Sequence, residues 1–323
     1  MSASVAGTGN LADLSFSGVP RRVVSLVPSV TGSLFDLQLG HCLAGVTDFC
    51  VYPPAGVASL PKVGGTKNPD VDQILALRPD LVIANQEENR REDVAALTAA
   101  GVPVWVTFPC TAREALNVLW AMVRLFDSPR LGQTLVALER SFEMTSLAAE
   151  SVPPVSVFCP VWREPAAAAG PAAWWMAANR ETYLHDVLRV CGGRNVFAER
   201  PRRYPLGADL DPARPADPPV PARDTRYPRV TAHEIVAAAP DVILLPSEPY
   251  PFAEVDRAEL QGWRDMPAAQ NNRIYLVDGS LLTWPGTRLA QSLAELPTLL
   301  NPVEVYNPEA ALARTAGRSI VSR

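Results

Sequence analysis

The feature that most constrains the fold is an internal repeat. Residues 74–88 read ILALRPDLVIANQEE, and they align without gaps with residues 235–249, which read IVAAAPDVILLPSEP. The alignment matches Asp80 with Asp241, and a proline precedes each aspartate. In each copy an apolar helix end meets the proline, which disfavours helix at the residue before it, and a short apolar run follows. Each copy is therefore predicted to form a helix, a tight turn and a buried parallel strand.

The same plan extends from the repeat into both halves of the chain. A capping pattern predicts helix starts at Asp70 and Thr231, each three residues before a Gln or Glu. Short apolar runs predict strands at 23–26, 43–47, 81–84 and 102–108, then at 155–158, 195–198, 242–245 and 273–278. Alternating strands and helices are typical of open, mostly parallel sheets, so the predicted fold class is α/β with two similar lobes.

A long helical segment separates the two halves. Pro129 suits the first turn of a helix and Ser128 its N-cap, and the helix predicted over 129–149 has no glycine after Gly132. We expect it to act as a rigid strut. The predicted boundaries are a tail at 1–20, a first lobe at 21–127, the linking helix at 128–151, a second lobe at 152–300 with a Pro- and Arg-rich insertion at 199–229, and an extension at 301–323.

Composition and charge exclude several function classes. The 323 residues carry a formal net charge of −5 and no basic patch with interleaved aromatics, which argues against nucleic-acid binding. The five cysteines include no C-x-x-C pair and the three histidines are scattered, so no metal site is predicted. Residues 1–22 show no basic region followed by an apolar core, as a secretory signal would, and no stretch predicts a membrane span.

The loops that follow the predicted strands are rich in aromatic residues. In open α/β sheets, ligands bind beyond the carboxyl ends of the strands, so these loops form the candidate site. They contain four of the seven tryptophans with two phenylalanines and two tyrosines: Trp162, Trp174, Trp175, Trp284, Phe49, Phe252, Tyr52 and Tyr250. Aromatic walls suit a bulky, flat, partly apolar ligand, although single rings could instead roof a core or pack one lobe on the other.

Signals for catalysis are few. The sequence has no G-x-G-x-x-G motif after a strand, no P-loop and no G-x-S-x-G motif. We therefore predict that the protein is not an enzyme. The alternative is a cytoplasmic enzyme or metallocofactor-handling protein that uses the loop carboxylates Glu87, Glu88 or Glu248 as acid, base or metal ligand, whereas the simpler interpretation is that they are solvated.

Five motifs together carry a family resemblance. They are similar, in the same order, to motifs of the cobalamin and iron–siderophore binding proteins of bacterial ABC importers: RRVVSLVPSVTGSLFDLQLG, GVTDFCVYP, KVGGTKNPDVDQILALRPDLVIA, VCGGRNVFA and LTWPGTR. The resemblance implies two Rossmann-like lobes joined by one long backbone helix, without an intrinsic cofactor. It also implies a ligand in the cleft between the lobes. This ligand would be a corrinoid such as cobalamin, a haem or a ferric siderophore.

The resemblance also assigns ligand contacts. The ligand loops of the family fall on ten residues of this chain: Pro28, Ser29, Asp48, Phe49, Tyr52, Asn85, Trp162, Tyr227, Trp284 and Arg288. Corrinoid binders of the family often carry an aromatic residue where Asn85 and Tyr227 stand, and only Tyr227 keeps it here. Gly32 replaces a glutamate that usually follows the threonine of the first motif.

Trp284 has a particular place in this expected site. Pro285 suits the first turn of the last helix, which would put the Trp284 indole just before a helix N-terminus. Trp162 follows the first strand of the same lobe. Phe49 and Tyr52 would face both indoles from the first lobe.

The resemblance further implies a partner and a location. In the family, one carboxylate on each lobe docks onto arginines of the permease, and the nearest carboxylates to those positions here are Glu92 and Glu234. We expect a monomer that binds a small molecule and an ABC permease, and no nucleic acid. Family members are periplasmic or lipid-anchored, whereas this sequence as written shows no leader and predicts a cytoplasmic location.

Overall fold

The computed structural model describes residues 6–166, 173–221 and 223–301. It contains two separate parallel sheets, one drawn from residues 23–107 and the other from residues 155–277. The predicted α/β class with two lobes is therefore confirmed. The predicted extension lies outside the described residues, apart from Asn301.

The first lobe is built on a parallel sheet within residues 23–107. Its strands are β1 Val23–Ser25, β2 Leu43–Val46, β3 Leu81–Asn85 and β4 Val104–Thr107, in the spatial order β2–β1–β3–β4. The helices that accompany them are α1 Pro28–Asp36, α2 Pro54–Val57, α3 Val71–Ala76, α4 Arg91–Ala99 and α5 Ala112–Leu125. All of β3 is buried, as expected of a central parallel strand.

One long helix links the two lobes. After a 3₁₀ turn at Pro129–Leu131 it runs as α6 over Gly132–Glu150, close to the predicted 129–149. Ser128 stands at the predicted N-cap position, before Pro129 in the first position of the 3₁₀ turn, but without a capping hydrogen bond. Because the chain enters through the 3₁₀ turn, the Ser128 hydroxyl donates to the carbonyl oxygen of Phe126 (3.1 Å) and caps no helix N–H group.

The second lobe repeats the strand order of the first. Its strands in the described residues are β5 Val155–Phe158, β6 Trp162–Glu164, β7 Trp174–Met176, β8 Gly193–Asn195, β9 Arg229–Thr231, β10 Val242–Pro246 and β11 Ile274–Val277. The parallel sheet has the order β11–β10–β5–β8, so in both lobes the first sheet strand lies between the second and the third. The remaining strands form an antiparallel sheet, β6–β7–β9, that the sequence did not predict.

Helices complete the second lobe. They are α7 Tyr183–Val190, α8 Leu206–Leu210, α9 Ala232–Ala238, α10 Glu254–Gln261, α11 Pro267–Gln270, α12 Ser280–Thr283 and α13 Leu289–Leu300. The strand predicted at 195–198 is wrong, since pairing ends at Asn195. The Asn195 side chain then accepts from the Phe197 backbone N–H (3.0 Å), which turns the chain away from the sheet.

The repeated Pro-Asp pairs have the same role in both lobes. The Asp80 carboxylate accepts from the backbone N–H groups of Arg21 and Arg22, at 2.8 and 3.0 Å. The Asp241 carboxylate accepts from the N–H group and the hydroxyl of Ser156, at 3.2 and 2.6 Å. In each lobe the repeated aspartate therefore fixes the start of the third sheet strand beside the start of the first.

A continuous apolar core runs from one lobe into the other. Its buried side chains come from β1 and α1, from α5 and α6, and from α7, β10 and α13, and include Val23, Leu34, Leu119, Leu138, Val187, Leu244 and Leu293. Two smaller clusters lie within the individual lobes. The lobes therefore share a buried interface beside the linking helix, which agrees with the rigid strut expected from the sequence.

A buried carboxylate holds the Pro- and Arg-rich insertion at 199–229. Asp209 in α8 is fully buried and accepts from Arg200 Nη1 (2.9 Å) and from the backbone N–H groups of Arg203 (2.9 Å) and Arg229 (2.8 Å). Because Arg200 and Arg229 lie near opposite ends of the insertion, Asp209 ties these ends together.

Candidate ligand-binding cleft

Two contacts between the lobes border the candidate cleft. The guanidinium carbon of Arg288, in the second lobe, lies 4.5 Å from the centre of the Tyr52 ring in the first. Arg226 Nη1, also in the second lobe, lies 2.5 Å from Glu87 Oε1 in the first. Tyr52 follows β2 and Glu87 follows β3, so the cleft lies beyond the carboxyl ends of these strands, where ligands bind in such sheets.

Pro28 and Ser29 form the first turn of α1, directly after β1. Ser29 is buried, and its carbonyl oxygen accepts from the Ser33 hydroxyl at 2.8 Å. The second lobe approaches this turn at Gly286, where a Cβ atom would lie only 2.3 Å from Ser33 Oγ. These two predicted residues therefore lie where the lobes meet.

Tyr52 and Trp284 come together beside Gly32 of α1. A Cβ atom at Gly32 would lie 3.4 Å from Tyr52 Cδ1 and 3.5 Å from Trp284 Cζ3, and both aromatic residues are half-buried. A Cβ atom would only touch the two rings at van der Waals distance, whereas a longer side chain at this position would have to displace them. With Arg288 over Tyr52, the structure brings three of the predicted contact residues into one group.

The predicted helix start at Pro285 is wrong. Trp284 instead ends the short helix α12, and α13 begins only at Leu289. Gly286 adopts a φ of 151°, which other residues rarely adopt and which keeps this segment out of the helix. The Trp284 indole therefore belongs to a connection between two helices.

Phe49 and Trp162 expose aromatic surface on opposite lobes. Phe49 is 61% exposed and Trp162 in β6 is 38% exposed. Trp162 packs edge-on against Tyr250, with ring centres 5.4 Å apart. Asp48, the neighbour of Phe49, is also exposed. Exposed rings of this kind offer the contact surface that a flat ligand requires.

Three aromatic residues expected in the loops lie in the core of the second lobe. Trp174 and Trp175 belong to β7, and Trp175 is 2% exposed, with its ring centre 5.3 Å from that of Trp263. Phe252 is also buried. Strands as short as β6 and β7 leave no recognisable period, so the sequence could not separate these rings from the cleft.

Asn85 is used by the loop that it begins. It is buried at the end of β3, where its side chain donates to Thr107 Oγ1 (3.3 Å) and accepts from the Glu87 N–H (2.7 Å). The Asn89 side chain accepts from the Asn85 N–H (2.8 Å) and completes the turn. Asn85 therefore shapes the loop that carries Glu87, and the ligand contact expected of it stays a prediction.

Tyr227 reaches across the cleft to Glu87. Its hydroxyl donates to Glu87 Oε1 at 2.8 Å, the same oxygen that Arg226 contacts. Burial and the nearby Glu87 carboxylate raise the pKa of Tyr227, so its hydroxyl remains a donor. Arg226 was not predicted, because its Pro- and Arg-rich surroundings have no period. The one available signal was its neighbour Tyr227.

Glu88 and Glu248 bring carboxyl groups from opposite lobes towards each other. Burial, together with the charges of Glu87 and Glu248, raises the pKa of Glu88 to about 8. Glu248 accepts from the Thr283 hydroxyl at 3.0 Å, and burial raises its pKa as well. Of the three carboxylates named for the enzyme alternative, Glu87 is paired to Arg226, and the charges of Glu87 and Glu248 both act on Glu88.

The two predicted docking carboxylates differ in their surroundings. Glu92 lies exposed in the first turn of α4. Glu234 is half-buried, completes a capping box with Thr231 and pairs with Arg200 at 3.2 Å. Both of its oxygens therefore have partners within the second lobe, which does not fit a free docking group.

Neither a metal-binding cluster nor a membrane-spanning helix occurs in the part of the chain that the structure describes. In residues 6–166, 173–221 and 223–301, no group of three or more His, Cys, Asp and Glu side chains is placed to hold a metal ion. No helix in the same ranges has the length and apolar character of a membrane span.

Comparison with known proteins identifies the family. The periplasmic binding protein family model matches residues 23–281, so the chain belongs to the periplasmic binding protein family. The vitamin B12-binding protein of Vibrio parahaemolyticus is 25% identical over 278 residues, covering 85% of this chain and 87% of the relative. Membership of this family confirms the predicted role of the chain as a ligand-binding protein.

Solved structures share the fold. The periplasmic vitamin B12-binding protein of Vibrio cholerae superposes with a TM-score of 0.69 at 21% identity, covering 87% of this chain and 97% of its own. A periplasmic heme-binding protein of Pseudomonas aeruginosa gives a TM-score of 0.63 at 24% identity, covering 88% and 93%. The family is extracytoplasmic, and the cytoplasmic location expected from the sequence as written finds no support in it.

Proposed function

We propose that the protein binds a corrinoid of the vitamin B12 class between its lobes and delivers it to an ABC permease. The observation that carries this proposal is a set of five aromatic rings, of which Phe49 and Trp162 are exposed and the other three lie at contacts between the lobes: Tyr52, Tyr227 and Trp284. A corrin ring and its benzimidazole are broad and largely apolar, and they gain most from contact with such rings. The vitamin B12-binding relative supports the ligand class.

The charged side chains of the candidate cleft are mostly paired or neutralised, which suits a ligand whose outer groups are mainly neutral amides. Glu87 is paired with Arg226, and Arg288 is stacked on Tyr52. Glu88 holds a proton near neutral pH, since its pKa is raised to about 8. A carboxyl that keeps its proton can donate to an amide, and the side-chain oxygens of Glu248 can accept from one.

Ligand-dependent stabilisation tests the proposal. In a thermal-shift screen, cyanocobalamin and cobinamide at 100 times the Kd should stabilise the protein by about 2.7 kcal/mol. Free dimethylbenzimidazole at the same concentration is the control. If haemin or a ferric siderophore stabilises the protein and neither corrinoid does, the proposed corrinoid ligand is wrong, whereas the proposed ligand-binding role stands.

Delivery to a permease forms the second part of the proposal. Glu92 is the docking carboxylate that we propose on the first lobe, because it is exposed in the first turn of α4. Reconstituted transport should therefore fall in Glu92→Gln while the Kd for the corrinoid stays unchanged. Equal transport by Glu92→Gln and the unaltered protein would remove Glu92 from the docking surface.

A further inference from the structure

The Pro- and Arg-rich insertion, residues 199–229, contacts the first lobe through its carboxyl-terminal end. Arg226 Nη1 and the Tyr227 hydroxyl both bind Glu87 Oε1, at 2.5 and 2.8 Å. The guanidinium carbon of Arg226 also lies 4.9 Å from the centre of the Phe108 ring, which follows β4. Two donors on one carboxylate oxygen and a cation–π contact therefore join the insertion to the opposite lobe.

The rest of the insertion is held together by contacts among its own residues. The Tyr204 ring has guanidinium groups from Arg202 and Arg223 within 4.2 and 4.9 Å of its centre, and its hydroxyl donates to the Asp224 carbonyl oxygen at 2.8 Å. The buried Asp209 ties together the two ends of the segment. Asn179, in the second lobe outside the insertion, donates from its backbone N–H to the Arg226 carbonyl oxygen (2.8 Å) and from its side chain to the Thr225 carbonyl oxygen (3.2 Å). The end of the insertion that contacts Glu87 is therefore attached to its own lobe.

Arg226 is oriented before it reaches the other lobe. Its Nε and Nη2 atoms donate to the two carboxylate oxygens of Asp224, at 2.9 and 2.7 Å, which leaves Nη1 for Glu87. The side chains of Arg226 and Glu87 are 15% and 29% exposed. Charged groups that are this poorly hydrated lose more when their partner is removed than surface pairs do.

We propose that the described residues of the insertion, 199–221 and 223–229, form a strap that fastens the two lobes together across the cleft, with Glu87 as its catch on the first lobe. Beside α6 the two lobes are already joined by the apolar core that they share. Release of the catch lets a large ligand enter and leave. Glu87 is thus a positioning residue that acts through Arg226 and Tyr227.

Hydrogen–deuterium exchange on the ligand-free full chain tests the strap without reference to any ligand. In Glu87→Gln and Arg226→Met, amides in residues 85–89 and 223–229 should exchange about tenfold faster or more, because the contact that holds both segments is lost. Tyr227→Phe, which loses only the hydroxyl, should give a smaller increase in the same segments. The matched controls are Glu254→Gln and Arg257→Met, an exposed ion pair within α10.

Two exchange results would overturn the strap. One is unchanged exchange in both segments for both Glu87→Gln and Arg226→Met. The other is faster exchange throughout both lobes, because the pair would then support the whole fold and fasten no particular segment. If one of the two variants fails to fold, the other and Tyr227→Phe still decide the outcome.

Ligand kinetics form a second arm, which rests on the proposed function. With cyanocobalamin as the probe, stopped-flow tryptophan fluorescence should show larger association and dissociation rate constants in Glu87→Gln than in Glu254→Gln. Equal rate constants would overturn the role of the catch in ligand passage. Absence of cyanocobalamin binding by the unaltered protein would refute the corrinoid proposal, and the exchange experiment would then decide on the strap alone.

Discussion

The guanidinium of Arg288 lies 4.5 Å from the centre of the Tyr52 ring, so a cation from the second lobe stacks on an aromatic ring from the first. Arg288 Nη1 also donates to Gln291 Oε1, which orients the guanidinium from its own helix. Tyr52 in turn lies beside Gly32 and Trp284. The pair therefore sets the position of the ring that the first lobe offers to a ligand.

Replacing Arg288 by alanine should weaken corrinoid binding. A partly desolvated cation–π contact contributes about 1–2 kcal/mol, which corresponds to a loss of roughly 5- to 30-fold in affinity. Arg288→Lys should recover only part of this loss, because an ammonium group lacks the planar face of a guanidinium. Calorimetry with cyanocobalamin measures both variants, with Arg257→Ala as the exposed control. Unaltered affinity in Arg288→Ala would place the ligand elsewhere.

Two tryptophans of the second lobe should behave in opposite ways on replacement by alanine. Trp162→Ala removes a 38% exposed ring and should weaken binding by roughly tenfold, with a change of less than about 1 kcal/mol in unfolding free energy. Trp175→Ala empties a core position and should cost about 3–5 kcal/mol of stability. Chemical denaturation and calorimetry together separate the two effects. Similar stability losses in both variants would contradict this division.

These tryptophans also show how far the sequence could predict the site. The strand and helix order followed from hydrophobic periodicity and the repeat, because buried parallel strands and amphipathic helices leave strong local patterns. The antiparallel sheet that buries Trp175 left none, since β7 is three residues long and pairs with distant segments. Sequence could name Trp162 and Trp175 as aromatic residues after a strand, and only the fold could tell which one is exposed.

Glu88 should make the stability of the protein depend on pH. Its ordinary pKa of 4.5 is raised to about 8 in the folded chain, first by burial and then by Glu87 and Glu248. Between about pH 5 and 8 the folded state therefore keeps a proton that the unfolded chain has lost, so its contribution to stability falls as the pH rises. Glu88→Gln, which imitates the protonated carboxyl, should give a flatter curve of Tm against pH.

The control for this titration is Glu254→Gln, a change at an exposed glutamate of the second lobe. Its Tm should follow the same pH curve as the unaltered protein. If Glu88→Gln shows the same slope between pH 5 and 8 as the control, Glu88 does not carry a retained proton.

Asp209 should be among the most sensitive positions of the insertion. Its fully buried carboxylate accepts from one guanidinium and two backbone N–H groups, so Asp209→Ala leaves these donors without their acceptor. Loss of one partner from a buried charged pair costs about 3–5 kcal/mol. Urea unfolding should show a loss of this size, against less than about 0.5 kcal/mol for Asp265→Ala, a change at an exposed aspartate. Comparable losses for the two aspartates would contradict the anchoring role of Asp209.

The insertion itself marks the limit of what the sequence could predict. Its composition identified a long excursion between two elements, and the resemblance named Tyr227. The contacts of Asp209 and Arg226 are made with residues up to 139 positions away, and no local pattern encodes them. By contrast, the repeated Asp80 and Asp241 were visible in the sequence because the same local turn is built twice.

The apolar core shared by the lobes has a consequence for cooperativity. Side chains from β1 and α1 of the first lobe and from α7, β10 and α13 of the second bury one another beside α6, so neither lobe can unfold without exposing the face of the other. Heating should then produce a single calorimetric endotherm for the whole molecule, as in small one-domain proteins. Expression of either half alone would leave an unmatched hydrophobic surface. On this prediction, the two similar lobes melt as one thermodynamic unit.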